Sequence, residues 1–261
     1  MTRSLFLDEE VRDVGDGGWR TRAWDAFTRY TKHPDWRIVK PAAANAQARA
    51  EGRTAAENSE TSIGHLRLEN IRHCVTSVLN DNVPGDLIET GVQRGGAVIF
   101  MRAVLAAHGV SDRMVWLADT FKGMPAPNPD KYPADEGIEL GRSDLRAVGV
   151  EGVKANFARY GLLDDKVRFL VGLFKDTLST APIEQLALVR LDGDFYESTM
   201  DAITALYPKL SVGGYLIVDD YNSPLWSQRC GQAIRDYRAK HDITEPLQEI
   251  DFTGVYWRRE R

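Results

Sequence analysis

The chain has 261 residues, of which 43% are apolar and 27% are charged, and its formal net charge at pH 7 is -5. This length and apolar content suffice for a large buried core. The acidic balance argues against a protein that binds nucleic acid through a basic stripe along the phosphates.

The cysteines and the first residues bear on where the protein works. Cys74 and Cys230 are far apart, each in a segment with helical spacing, so we expect buried free thiols and a reducing compartment. No stretch approaches the roughly 20 apolar residues of a membrane span. Residues 8–10 are acidic, where a signal peptide would be apolar. The sequence therefore predicts a cytoplasmic protein without a membrane or nucleic-acid partner.

Residues 1–61 differ in character from the remainder. Three of the six tryptophans lie there among charged residues, and a run rich in Ala, Asn and Arg follows from Pro41. We expect a helical or partly mobile extension over residues 1–61 and one domain over residues 62–261.

The remainder alternates helix and strand signals. Apolar residues recur with helical spacing from Leu68 to Leu79, and turn residues end that helix at 82–85. Ser198 is of a residue type that caps helices, which predicts a helix start there. Apolar runs with the length of strands lie at residues 86–89, 114–118, 167–171, 186–191, 215–218, 247–250 and 254–257. This alternation predicts an α/β fold in which helices cover both faces of a mostly parallel sheet.

The first predicted strand runs into a glycine-containing turn at residues 89–96, and a helix follows. In a doubly wound sheet, glycines at such a turn let the backbone approach a ligand beyond the carboxyl ends of the strands. The spacing differs from the dinucleotide and Walker A patterns, which disfavours nicotinamide cofactors and nucleoside triphosphates. The alternative is a tight connection without a ligand.

Two residues at the ends of other strands fit a nucleoside. Asp119 ends the second predicted strand, where an acid can accept hydrogen bonds from ribose hydroxyls. The alternative is that Asp119 caps the turn that begins at Thr120. Phe174 follows the third strand, and it either flanks an adenine or belongs to the core.

Four carboxylates follow the fourth and fifth predicted strands: Asp192 and Asp194, then Asp219 and Asp220. Neighbouring strands lie roughly 5 Å apart, so Asp192 and Asp219 could reach one ion, with Asp220 as a third ligand. Oxygen ligands of this kind suit Mg²⁺ or Mn²⁺, which leaves Asp194 free to act as a base. The alternative is that these acids cap helices and turns, although such carboxylates would repel one another without a cation.

Several stretches in consistent order resemble the macrocin O-methyltransferase family over residues 62–258. They are residues 83–91, 118–125, 174–178, 191–194, 218–221 and 254–257. Members of that family use S-adenosylmethionine to methylate sugar hydroxyls on antibiotics and related natural products. The resemblance implies a Rossmann-like class I methyltransferase fold with a seven-stranded sheet, a small-molecule glycoside as acceptor, and a homo-oligomer.

The resemblance also implies roles for individual residues. The methionine part of the cofactor would be held by Glu89, Thr90, Gly91, Arg94 and Gly95. Its ribose would be held by Asp119, and further cofactor contacts would come from Phe174, Asp192 and Ser143, the last in what looks like the family's lid. Mg²⁺, with Mn²⁺ as a substitute, would be bound by Asp192, Asp219 and Asp220. Asp194 would be the general base, and Asp192 would share in catalysis.

Two features depart from the family, and two other functions stay open. Gln93 stands where the family often has Trp, and the first 60 residues do not match the family's usual opening. Asp192-Gly193-Asp194 also fits the Asp-x-Asp pattern of metal-dependent glycosyltransferases. A non-catalytic subunit that binds the cofactor is the third possibility.

Overall fold

The computed structural model describes residues 46–53, 59–138 and 147–261. Ser143 and most of the predicted N-terminal extension lie outside the described residues, so those expectations stay predictions. The described helices are α1 (Ala46–Ala50), α2 (His65–Asn80), α3 (Gly96–Ala107), α4 (Val150–Arg159), α5 (Phe174–Thr177), α6 (Tyr196–Leu206) and α7 (Cys230–Lys240). The strands are β1 (Asp86–Thr90), β2 (Val115–Asp119), β3 (Val167–Val171), β4 (Leu186–Leu191), β5 (Leu210–Val218), β6 (Gln248–Glu249) and β7 (Val255–Arg258).

The strands form one seven-stranded sheet in the order β3-β2-β1-β4-β5-β7-β6. The first five strands in this order are mutually parallel, and β7 runs antiparallel to both of its neighbours. Thr90, at the end of β1, pairs with Ala118 on one side and Leu191 on the other. The carboxyl ends of β1, β2, β4 and β5 therefore lie side by side, and the predicted mostly parallel α/β fold is confirmed.

Two apolar cores lie on opposite faces of the sheet, because successive residues of a strand point to opposite faces. Leu188 of β4 packs in the core with α2, α3 and α4. Val189, the next residue, packs in the core with α6 and α7. Strands β1, β2 and β4 are buried along nearly their whole length, as the sequence predicts, whereas the edge strand β3 is partly exposed. Cys74 and Cys230 are buried free thiols in these cores, as expected.

The predicted start of α6 is wrong. The helix begins at Tyr196, two residues before Ser198, and the residue at its N-cap is Phe195, whose side chain makes no capping hydrogen bond. The Ser198 hydroxyl instead donates to the carbonyl oxygen of Gly193. The acceptor for the first N–H groups of α6 comes from another part of the chain, which a local sequence pattern cannot reveal.

None of the helices in the described ranges has both the length and the apolar character needed to cross a membrane.

Candidate active site

A cavity of about 770 Å³ opens at the carboxyl ends of the parallel strands, a volume within the range of small-molecule pockets. Its lining includes Gly91, Asp119, Phe174, Trp226 and Phe252. The cavity thus lies where ligands bind in open α/β sheets.

Gly91 is where the backbone of β1 comes closest to the tip of β4. Its φ is +81°, and a Cβ placed on it would lie 1.7 Å from the carbonyl oxygen of Asp192. Only glycine fits that contact and that backbone angle. The glycine turn therefore places the first strand end directly against the acidic loop.

The later part of this turn is fastened to the segment that precedes α2. The guanidinium of Arg94 donates to the carbonyl oxygen of Ser59 at 3.1 Å, and the N–H of Gly96 donates to that of Glu60 at 3.0 Å. Gly95 has a φ of +86° and packs against Val153. Of the residues expected to hold the methionine part, Gly91 borders the cavity, whereas Glu89, Thr90, Arg94 and Gly95 stand behind its described lining.

The carboxylate of Asp119 accepts hydrogen bonds from two different turns. Its Oδ2 accepts the N–H of Val92 at 2.7 Å, within the glycine turn, and its Oδ1 accepts the N–H of Phe121 at 2.7 Å. Asp119 therefore does cap the turn that begins at Thr120, which is the alternative considered from the sequence. The same residue also lines the cavity. A contact of Asp119 with ribose stays a prediction.

A buried ion network lies beneath the acidic loop. Arg190 on β4 is 1% exposed and donates to Glu89, to Asp192 at 2.9 Å, and to Asp219. Burial raises the pKa of Glu89 to about 8, against the attraction of Arg190. Oε2 of Glu89 has no hydrogen-bond partner within the described part of the chain.

A second buried arginine joins the network from α2. Arg67 donates to Asp219, to Asp251 at 2.7 Å, and to the hydroxyl of Thr253. Each carboxylate oxygen of Asp219 therefore accepts from a different arginine. The sequence reasoning missed both arginines, although Arg190 carries a signal: it is the one charged residue inside an otherwise apolar strand.

The acids that converge most closely are Asp192, Asp194 and Asp220. One carboxylate oxygen from each lies within 4.8 Å of the others. Burial, followed by the charge of Asp219, raises the pKa of Asp192 to about 6. Burial, followed by the charges of Asp194 and Asp219, raises the pKa of Asp220 well above its ordinary value. Carboxylates this close favour protons or a cation between them.

Asp219 thus lies beside this trio rather than inside it. Its side chain is turned to the two arginines, and Asp194 occupies the third place in the cluster. Asp194 has a φ of +59°, an uncommon conformation for a non-glycine residue that clusters at functional sites.

Aromatic rings form another part of the cavity lining. Trp226 packs edge-on against Phe195, with ring centres 5.7 Å apart. Two successive turns connect Trp226 to Asp220 through the main chain. The N–H of Ser223 donates to the backbone carbonyl oxygen of Asp220, and the N–H of Trp226 donates to that of Ser223, both at 3.2 Å. Phe252 also lines the cavity, and the guanidinium of Arg53 lies 3.7 Å from its ring centre. The cavity wall therefore combines apolar ring faces with carboxylates.

Comparison with known proteins gives consistent matches. A family model described as "Macrocin-O-methyltransferase (TylF)" matches residues 3–259. The demethyldecarbamoylnovobiocin O-methyltransferase of Streptomyces niveus is 55% identical over 216 residues, which are 82% of this chain and 81% of that protein. The 8-demethyl-8-(2,3-dimethoxy-alpha-L-rhamnosyl)-tetracenomycin-C 4'-O-methyltransferase of Streptomyces olivaceus is 50% identical over 257 residues, 98% of this chain and 93% of that one.

Among solved structures, the O-methyltransferase NovP has 55% sequence identity and a TM-score of 0.79, over 83% of this chain and 89% of that one. The expected class I methyltransferase fold is confirmed by this likeness. The family match begins at residue 3, so the expectation that the first 60 residues depart from the family's opening is wrong.

Proposed function

The chain belongs to the macrocin O-methyltransferase family and is an S-adenosylmethionine-dependent O-methyltransferase, and we propose that it methylates a sugar hydroxyl of a glycosylated natural product with the help of Mg²⁺. The observation that carries this proposal is the cluster of Asp192, Asp194 and Asp220 in the same cavity as the glycine turn. The names of the relatives support the sugar acceptor, because the tetracenomycin enzyme is described by a rhamnosyl substrate.

The residues at the β1 and β2 end fit the cofactor. The unpartnered Oε2 of Glu89 would accept from the ammonium group of the methionine part, since a buried acceptor gains most from a charged donor. Gly91 brings the main chain to the cavity wall, and Asp119 would accept from the ribose. When bound, S-adenosylmethionine supplies the methyl group.

The acidic cluster fits a hard divalent ion. Its donors are carboxylate oxygens. Burial, followed by the charges of neighbouring carboxylates, raises the pKa of Asp192 and Asp220, and a bound cation would offset both effects. Asp192 and Asp220 belong to both the geometric cluster and the ligand set predicted from the sequence. Asp219 stays a prediction as the third ligand, because it would have to release an arginine to serve. When bound, Mg²⁺ lowers the pKa of an acceptor hydroxyl.

The protein's own residues then position the acceptor and remove its proton. Asp194 would take the hydroxyl proton on its carboxylate, and its fixed backbone holds it beside Asp192 and Asp220. Trp226 and Phe252 would line the acceptor's apolar faces and exclude water. Methyl transfer is an in-line displacement, so most of the acceleration comes from holding oxygen and methyl about 3 Å apart and collinear.

The charge of the cavity favours a glycoside over a sugar nucleotide. Its described basic lining residues each have an acidic partner: Arg53 with Glu51, Arg67 with Asp219 and Asp251, and Lys175 with Glu197. A diphosphate needs cations or free N–H groups around it. This charge balance, together with the family membership, disfavours the glycosyltransferase alternative. The predicted homo-oligomer and cytoplasmic location stay predictions.

The test is methyl transfer from labelled S-adenosylmethionine to glycosides and to their aglycones, followed by mass spectrometry. We expect labelled product only from glycosides, loss of turnover with a chelator, and recovery with Mg²⁺ or Mn²⁺. Methylation of the aglycones would refute the sugar acceptor, and chelator-resistant turnover would refute the metal.

Two variants separate the ligand from the base. The affinity for Mn²⁺, measured by calorimetric titration, should fall at least tenfold in Asp192→Asn. Asp194→Asn should lower the single-turnover rate at least a hundredfold, and the exposed Asp130→Asn is the matched control. A normal single-turnover rate in Asp194→Asn would remove that residue as the base.

A further inference from the structure

Helix α6 begins directly after the acidic loop, and it lacks a cap of its own. The first N–H groups of a helix have no partner inside the helix, and Phe195, at the N-cap, supplies none from its side chain. Tyr196 and Glu197 therefore need acceptors from elsewhere in the chain.

Asp135 supplies both acceptors. Its Oδ1 accepts the N–H of Tyr196 at 2.8 Å, and its Oδ2 accepts the N–H of Glu197 at 3.0 Å. Asp135 is 0% exposed and lies 61 positions before Tyr196 in the chain. A carboxylate at a helix N-terminus also interacts favourably with the helix dipole. This aspartate is a complete cap that comes from a different segment.

The loop that carries Asp194 directly precedes this capped start of α6. The N–H of Phe195 donates to the carbonyl oxygen of Gly193 at 2.6 Å, and the Ser198 hydroxyl donates to the same oxygen. Asp194 is thus enclosed in a tight turn between β4 and the first residue of α6. Because these hydrogen bonds join the turn to the first residues of α6, a shift of the helix start would also move Asp194.

Asp135 itself belongs to the connection between β2 and α4. We call residues 123–136 of this connection the cover segment. Asn128 of this segment borders the cavity, and its carbonyl oxygen accepts the N–H of Tyr132 at 2.9 Å. The N–H of Asp135 donates to the backbone carbonyl oxygen of Tyr132 at 2.9 Å, and the guanidinium of Arg229 donates to the carbonyl oxygen of Glu136 at 3.1 Å. A chain of turns therefore links this cavity wall to the acidic loop through Asp135.

We propose that Asp135 is a positioning residue for methyl transfer, which fixes the start of α6 and thereby holds Asp194 in register with Asp192 and Asp220. This inference rests on the proposed function of the acidic cluster. Asp135 itself lies outside the described cavity lining, so its effect passes through the helix start. The chemistry of the side chain also matters, since a carboxylate offers a separate acceptor oxygen to each of the two N–H groups.

The experiment compares Asp135→Asn and Asp135→Ala with the wild-type enzyme. Asn keeps one acceptor oxygen and turns an amide donor towards the other N–H, while Ala removes both acceptors. Asp130→Asn is the matched control, because Asp130 lies in the same segment and is exposed. The readouts are kcat, the KM of the glycoside, calorimetric affinity for S-adenosylhomocysteine, and amide exchange in the peptide 192–200.

We expect kcat to fall at least threefold in Asp135→Asn and at least thirtyfold in Asp135→Ala. The affinity for S-adenosylhomocysteine and the KM of the glycoside should stay within threefold, and amide exchange should accelerate in the peptide 192–200. A kcat equal to that of Asp130→Asn would overturn the inference. A parallel loss of kcat, cofactor affinity and folded signal in both variants would also overturn it, since Asp135 would then only stabilise the fold.

The two proposals fail in different ways. If the wild-type enzyme methylates no glycoside, the proposed function fails, and the exchange readout still reports whether Asp135 caps α6. If the wild-type enzyme is active and both variants keep its kcat, only the positioning role fails.

Discussion

Replacing Arg190 with methionine should cost more stability than any other single change in the network beneath the acidic loop. Methionine matches much of the arginine's length without its charge. In the wild-type protein the guanidinium donates hydrogen bonds to Glu89, Asp192 and Asp219. After the loss of Arg190, these three carboxylates differ in the partners and the solvent contact that they keep.

Glu89 should account for most of the cost. Asp219 keeps Arg67, and the side chain of Asp192 is 24% exposed, so water can reach it. Glu89 is 2% exposed, and its Oε2 already has no partner in the described part of the chain. Removing one partner of a buried ion pair costs about 3–5 kcal/mol. In a domain of about 200 residues, each kcal/mol lowers Tm by about 2–4 °C, so a loss of roughly 6–20 °C is expected.

Urea denaturation followed by far-UV circular dichroism, in chelator-treated buffer, measures the free energy of unfolding. Arg168→Met is the matched control, because Arg168 lies exposed on the edge strand β3. Adding Glu89→Gln to Arg190→Met should recover part of the loss, because glutamine carries no charge and, unlike Glu89, needs no bound proton to become neutral. Arg190→Met within about 1 kcal/mol of the control, or a double variant no more stable than the single one, would refute this reasoning.

Three further outcomes are expected. Gly91→Ala should lose at least about 1–3 kcal/mol from the positive φ alone and abolish binding of S-adenosylhomocysteine in calorimetry, because its Cβ would collide with Asp192. Burial acts to raise the pKa of Asp251, but hydrogen bonds from Arg67 and from backbone N–H groups hold it below its ordinary value. The stability that this carboxylate contributes is therefore present above about pH 4 and is lost as the pH falls further, so urea midpoints of the wild type and Asp251→Asn should differ at pH 6 and converge in acid. Trp226→Ala should raise the KM of the glycoside at least fivefold with unchanged affinity for S-adenosylhomocysteine, and an unchanged KM would contradict its proposed place beside the acceptor.

The sheet and the grouping of the acids could be predicted because each depends on local pattern. A buried parallel strand is apolar along its length, and the carboxyl ends of neighbouring parallel strands meet at one edge. Asp192 and Asp219 follow such strands, so their proximity needed only the strand order. The sequence also placed Gly91 in the turn that follows β1, but its close contact with the carbonyl oxygen of Asp192 was not predicted.

The division of labour among the acids could not be predicted, because it depends on residues that are distant in sequence. Asp219 and Asp220 are adjacent, yet Asp219 faces two arginines and Asp220 faces the cluster. Which of the two neighbouring acids turns to the cluster depends in part on Arg67, which lies 152 positions from Asp219 in the chain.

The cap of α6 also depends on a residue that is distant in sequence, which explains why the helix start predicted from Ser198 is wrong. A helix start needs an acceptor for its first N–H groups, and a serine near the right position is the usual local source. Here Asp135 meets that need from the cover segment, so Ser198 is free to brace Gly193. Local rules predict that a cap must exist, whereas only the tertiary fold decides which residue provides it. Because this cap joins a cavity wall to the loop of Asp194, a substitution at Asp135 tests both the fold and the chemistry at one position.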